Sequence, residues 1–199
     1  IALLVLLGVA GLVVIRILKG ELGEQALGVG SALALLPVVP VTFALLWLDR
    51  WEPEPTRYLL LAFAWGATGA ALIAIIINSA LNVALGMIYD PTTGDDITAV
   101  VVAPVVEEAA KGAFVVAFWL LRRDEFDGIV DGIVLAGFCA LGFAFTENVL
   151  YFGRAYLEGV ASSGAEGGVV LSAGTFLVRG IFSPFAHPLF TAMIGLGVA

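Results

Sequence analysis

Residues 97–121, ITAVVVAPVVEEAAKGAFVVAFWLL, are long enough to cross a bilayer as one helix, yet they place Glu107, Glu108 and Lys111 near its middle. Charged groups at a helix centre cost about 2.5 to 3.5 kcal/mol each, so the three cost roughly 9 kcal/mol if Glu resembles Asp. The 13 Val, Ile, Leu, Phe and Trp residues of the stretch return only about 6 kcal/mol at 0.3 to 0.6 each. Alone, this helix is barely soluble in lipid. Its polar face must be covered by other helices or open onto water, and intramembrane charges so placed mark a functional site.

The rest of the chain supplies the cover. Apolar runs of about 20 residues recur throughout, 61% of the residues are hydrophobic, only 13% are charged and mean hydropathy is +1.06. The expectation is an all-α, polytopic transmembrane bundle of about six spans, forming a single domain over 1–199 with a catalytic core at 97–199. Both chain ends fall inside apolar runs, as they would in a fragment cut from a longer protein, and no signal peptide is expected. A net charge of −8 without a basic cluster argues against a nucleic-acid partner. Cys139 is the only cysteine, so neither a disulfide framework nor a CxxC metal knuckle is available.

In order, the expected spans are residues 1–18, 26–48 (with Pro37 and Pro40), 59–86, 97–121, 128–152, and one beginning near Leu171. LDRWEPEPTRY (48–58) reads as a rigid interfacial loop, DPTTGDD (90–96) as an acidic loop, RRDEFD (122–127) as a charged turn, and the stretch around SSGAEGG (162–168) as a mobile loop. In the fifth span, Gly128, Gly132, Ala136, Ala140 and Ala144 recur every four residues and predict a closely packed face. Placing the 49–57 and 122–127 loops in the cytoplasm gives them four Lys/Arg against three for the others. Glu107, Glu108, Glu147 and His187 then share one depth in the outer half of the bilayer, with water expected past the 154–170 segment.

Three helices thus bring carboxylates, an imidazole, an ammonium and an amide to one level. Peptide hydrolysis needs a water deprotonated, an oxyanion stabilised and a leaving amine protonated. Glutamates held close in low dielectric cannot all ionise, so one residue type can supply both acid and base. Lys111, one turn after Glu107, keeps a carboxylate of the pair ionised, and Asn148 or His187 can donate to the oxyanion. Zinc is the rival account of the same residues. With one His in the chain and no HExxH the site is oxygen-rich, and if a metal is bound, Glu108, Glu147 and His187 are its expected ligands. Asp131 and Arg179, near helix ends, are supporting candidates.

The segments APVVEEAAKG (103–112), DGIVLAGFCALGFAFTENVLYF (131–152) and RGIFSPFAHPLFTAMIG (179–195) resemble the EExxK, FxxxEN and His-containing motifs of the PrsW family of intramembrane proteases. DRWEPEP (49–55) is similar to a loop of that family. The resemblance implies Glu107 and Glu108 as the catalytic pair, Lys111 as their partner, Glu147 and Asn148 as the second motif and His187 as the third. It also implies a single-pass membrane substrate, such as an anti-sigma factor, cleaved in a bacterial or archaeal cytoplasmic membrane by a glutamate-type or metal-dependent mechanism. The related CAAX prenyl endopeptidases carry His where this chain has Glu147, which argues against prenylated substrates. Against these stand bland readings: a buried ion-pair cluster for the first motif, an interhelical hydrogen bond for the second and an interfacial anchor for His187. A proton- or cation-coupled transporter would use similar residues, but no internal repeat is evident. A non-catalytic membrane scaffold is the third class.

Overall fold

The computed structural model describes residues 2–126 and 128–199. Ile1, at the head of the first expected span, and Asp127, the last residue of the charged turn, lie outside the described residues.

The described residues are helical, without strands: α1 (Ala2–Asp49), α2 (Thr56–Ala64), α3 (Ala71–Ile88), α4 (Pro91–Ile97), α5 (Ala103–Leu121), α6 (Ile129–Phe176) and α7 (Ala186–Val198). π-helical turns at Trp65–Ala70, Thr98–Val102 and Leu177–Phe182 join α2 to α3, α4 to α5 and extend α6. Three stretches are long and apolar enough to cross a membrane: Ala2–Asp49, Thr56–Ile88 and Ile129–Val198. Five of the six expected segments overlap these three stretches, and the fourth runs from the end of α4 through the Thr98–Val102 turn into α5, whose three central charges set it apart.

α1 and α6 are 48 residues each, but neither is straight. At Gly23 the backbone takes φ 70°, a left-handed value that only glycine adopts without steric cost. The chain reverses there, so that Leu18 and Leu27, and Gly11 and Ser31, line one cavity together. α6 reverses at Ser163 and Gly164 (φ 70° at Gly164). The contacts Phe152 with Phe176, Asn148 with Arg179 and Gly132 with Gly195 are all centred on that break. The polar stretch expected to be a mobile loop is therefore a tight helical hairpin. Its glycines serve close contact, since a Cβ on Gly168 would meet the Tyr156 ring at 2.9 Å. The prolines of α1 cause no break, and non-helical backbone angles inside that helix occur at Gly23 alone.

The loops are shorter than expected. α1 runs to Asp49 and α2 starts at Thr56, and most of DPTTGDD forms α4. Asp90 caps α4 by accepting from the Thr93 amide at 3.0 Å and from its hydroxyl at 2.6 Å. These bonds hold the Asp90 carboxyl below the usual carboxylate range.

The first half of α6 is the central post. From Gly132 to Tyr156 it is buried on nearly every side, packing on α1, α2, α3, α5 and α7. Its outer neighbours send Leu4, Leu12, Phe43, Leu60 and Val105 outward, as lipid contact requires. The Gly/Ala face packs inside as expected: Gly132 lies on the Gly195 backbone, and Ala144 lines a small cavity with Ala186 and His187. Where α6 meets the end of α2 and the π-helical turn after it, the backbones come closer still. A Cβ on Gly66 would overlap the Cys139 carbonyl, and one on Gly142 would overlap that of Phe63. Gly66→Ala must push two backbones apart, at an expected cost of about 1 to 3 kcal/mol, visible as a lower midpoint of thermal unfolding in detergent.

Candidate active site

Lys111 fixes the geometry. Its side chain is fully buried, with Nζ 4.6 Å from the centre of the Phe143 ring. An ammonium so enclosed requires acceptors. It has two: Glu108 Oε1, one turn back on α5, and His187 Nδ1 at 3.1 Å. The second oxygen of Glu108 accepts from the hydroxyl of Thr191 at 2.8 Å, and Thr191 is itself 0% exposed.

An ammonium can donate but not accept, so His187 Nδ1 is the acceptor and the ring proton lies on Nε2. Nε2 is 2.8 Å from Glu147 Oε2 and donates to it. The same carboxylate oxygen takes a guanidinium nitrogen of Arg179, whose Nε donates to Asn148 Oδ1 at 2.9 Å. The guanidinium rests over Tyr151, 3.9 Å from the ring centre. One continuous path therefore runs from Thr191 through Glu108, Lys111, His187, Glu147 and Arg179 to Asn148, across α5, α6 and the segment 177–198.

Local sequence explains each placement. Glu108 and Lys111 are three apart on a helix and share a face. Glu147 and Asn148 are successive, about 100° apart, and are spanned by one guanidinium because its donors form a rigid fork. The π-helical turn Leu177–Phe182 carries Arg179, and the break at Ser183 and Phe185 starts α7 just before His187. On the far side of α5, Trp65 Nε1 donates to the Ala110 carbonyl at 3.0 Å, and the Cys139 thiol lies 3.7 Å from that of Lys111.

Glu107 stands apart from this path. Half-buried, it faces a cleft of about 240 Å³ whose walls include Asn78, Phe143, Glu147, Tyr151 and Arg154. Among the described residues none hydrogen-bonds its carboxylate. A second cavity, about 50 Å³, lies behind His187 between Asn148, Arg179, Ser183 and Pro184, roughly the room one or two waters need at about 30 Å³ each. The expected water route past the 154–170 segment is not what the cleft offers. Of that segment only Arg154 lines it, the other walls coming from α1, α3, α5 and the first half of α6.

Of the residues singled out in the sequence, Glu108, Lys111, Glu147, Asn148, Arg179 and His187 are joined directly, and Glu107 shares the cleft with Glu147. Asp131 is not brought in. It sits in the first turn of α6, accepting from the Gly128 amide at 3.0 Å, about 24 Å from Glu147 at 1.5 Å per residue. Sequence reasoning missed Thr191, although it follows His187 by four residues and so shares its helix face. It also missed Phe143 and Tyr151 as seats for the two cations.

The residues do not fit a metal as they are arranged. Both ring nitrogens of His187 are engaged, and the Glu108 and Glu147 oxygens that face it are occupied by Lys111 and by Arg179 with His187. Among the described residues no three His, Cys, Asp or Glu side chains are disposed to hold an ion. Two fixed cations stand where a metal would be needed to balance the carboxylates.

Residues 54–199 match the family described as PrsW family intramembrane metalloprotease. Among known proteins, Protease PrsW of Geobacillus kaustophilus is 30% identical over 147 residues, covering 74% of this chain and 55% of that protein. Protease PrsW of Clostridioides difficile is 32% identical over 127 residues, 60% of this chain and 50% of its own length. The Oceanobacillus iheyensis protein of the same name is 30% identical over 171 residues, 84% of this chain and 64% of its own. The chain thus spans about half the length of the first two relatives. No solved structure matches it.

Proposed function

The chain belongs to the PrsW family of intramembrane proteases, and from that premise we propose that it hydrolyses a peptide bond of a membrane-anchored protein within the bilayer. The observation that carries this reading is the Glu107 carboxylate, which has no hydrogen-bond partner among the described residues and shares a cleft of about 240 Å³ with a Glu147 already held in place by His187 and Arg179. Glu108 is committed to Lys111 and Thr191, and His187 has no free nitrogen, so Glu107 is the base. It takes a proton from a water oriented by Glu147, and the resulting hydroxide adds to the substrate carbonyl. Arg179, bonded to Glu147, and Lys111, joined to it through His187, oppose the charge that develops on the carbonyl oxygen. Glu107 then returns the proton to the amine as the C–N bond breaks. The metal named in the family's description enters no step, because the donor set is already occupied.

We read the hairpins of α1 and α6, with α2–α3 and α5, as six crossings of a cytoplasmic membrane in a bacterium or archaeon. A straight helix of 48 residues would extend about 72 Å at 1.5 Å per residue, more than twice the hydrocarbon thickness. The partner is a single-pass membrane protein, an anti-sigma factor being the candidate that the resemblance suggests. Reconstitution in vesicles with a single-span reporter tests the reading. Cleavage within the span or at its outer edge is expected, and an ion current with no cleavage would replace the protease with a transporter.

A further inference from the structure

The first half of α1, residues 2–22, is a weakly enclosed wall of the cleft. Leu7, Val14, Leu18 and Leu22 are its buried side chains, while Leu4, Val9, Leu12 and Ile15 face outward. Cavities flank it on both sides. Ile17, Leu18 and Glu21 line the cleft that holds Glu107, and Gly11, Val14, Ile15 and Leu18 line a mostly apolar cavity of about 390 Å³ against α6. A helix with voids on two faces has lost packing partners on both. Two exposed ion pairs tie it to the rest of the protein: Lys19 with Glu24 just past the Gly23 break, at 2.8 Å, and, across to α6, Glu21 with Arg154, with Nε to Oε1 at 2.6 Å. The Glu21 and Arg154 side chains are 37% and 50% exposed, and pairs this exposed hold weakly. Two residues beyond Glu21 is Gly23, at φ 70° with nothing within 4 Å of the place where a Cβ would stand. Past Gly23 the second half of α1 is anchored separately, by Gln25 to the Tyr156 hydroxyl at 2.7 Å and by Gly30 on the Val149 backbone.

We propose that a membrane-spanning segment of the substrate enters sideways from the bilayer, between residues 2–22 and α3, and that Glu21 with Arg154 is the latch on this entrance. The proposal rests on the protease reading given above. Besides the cleft that holds Glu107 and the small cavity behind His187, an open apolar groove of about 590 Å³ along α5 and Ile194 reaches Glu108 but not Glu107. The cleft between residues 2–22 and α3 is walled by Ile17, Leu18, Ala71, Ala74 and Ile75, apolar side chains that an incoming span can replace lipid against. The cavity behind His187, about 50 Å³, admits water and no polypeptide. Residues 2–22 precede the 54–199 region matched to the family.

Two measurements on the full chain in lipid vesicles decide the matter. Ile17→Cys with Ile75→Cys, spin-labelled in a Cys139→Ala background, reports the width of the entrance by pulsed electron resonance. Adding Glu21→Gln is expected to broaden the distribution toward longer distances, and an unchanged distribution would refute the latch. In the second, the same cysteine pair is bridged with a short bismaleimide and assayed on a single-span reporter, the unbridged protein serving as reference. Turnover is expected to fall about tenfold or more, as for a lid held shut, and undiminished turnover would overturn the entrance. Failure of the protease reading would look different: no cleavage before bridging, with the spin-label result still judging the latch.

Discussion

Lys111→Met is expected to lower stability by about 3 kcal/mol, more than the other single changes considered. The ammonium is fully buried, and removing it leaves the Glu108 carboxylate without its cation in a site where its side chain is only 28% exposed. Breaking a buried pair in this way costs about 3 to 5 kcal/mol, and the residual exposure of Glu108 favours the lower end. His187 Nδ1 loses its donor at the same time, so the imidazole is free to change tautomer and release Glu147. Activity should therefore fall along with stability. Glu108→Gln added to Lys111→Met removes the stranded charge and should recover most of the lost stability, because deleting both members of a buried pair is far less damaging than deleting one. Unfolding in detergent by heat or denaturant gives both numbers. A single variant as stable as the parent would mean that Lys111 does not hold this carboxylate. Thr191→Val, which deletes only a hydrogen bond to a charged group, is expected to cost about 1.5 to 3 kcal/mol.

Much of this site was legible in the residues. Charges in the middle of an apolar run have few reasons to exist, and Lys111, one turn after Glu107, reads as the cation for one carboxylate of the pair; the one it contacts is Glu108. The closely packed Gly/Ala stripe of α6 was equally readable, since small residues every four positions serve little else in a membrane helix. What stayed hidden depended on where the chain reverses. Glycine and serine at 162–168 read as a mobile loop, because composition cannot distinguish glycines that loosen a segment from glycines that let two helices touch. Once the reversal is placed at Ser163 and Gly164, Arg179 falls opposite Asn148 and its pairing with Glu147 follows. Asp131 is the converse case: an acid in an apolar span is a fair suspect, but its place in the first turn of α6 makes it a cap. The break at Gly23 falls in the gap expected between the spans 1–18 and 26–48, but that residues 2–22 form a weakly held wall of the cleft was not readable from it.

The division of labour within the glutamate pair is open in the sequence, and the contacts support the one proposed. Glu108 has partners on both oxygens, and Glu107 has an open cleft. Glu107→Gln keeps the shape of the side chain and abolishes its basicity, so it should reduce turnover by about 10² to 10⁴. Because no hydrogen bond among the described residues is lost, the unfolding midpoint should stay near that of the parent. Glu147→Gln should also slow cleavage, but with a stability loss, since Arg179 and His187 both lean on that carboxylate. The most direct test is cleavage of a single-span reporter by parent and Glu107→Gln protein in the same vesicles, with thermal unfolding recorded on both. Near-complete loss of cleavage with unfolding unchanged is the predicted result. A Glu107→Gln protein that cleaves at the parent's rate would contradict the assignment of Glu107 as the base.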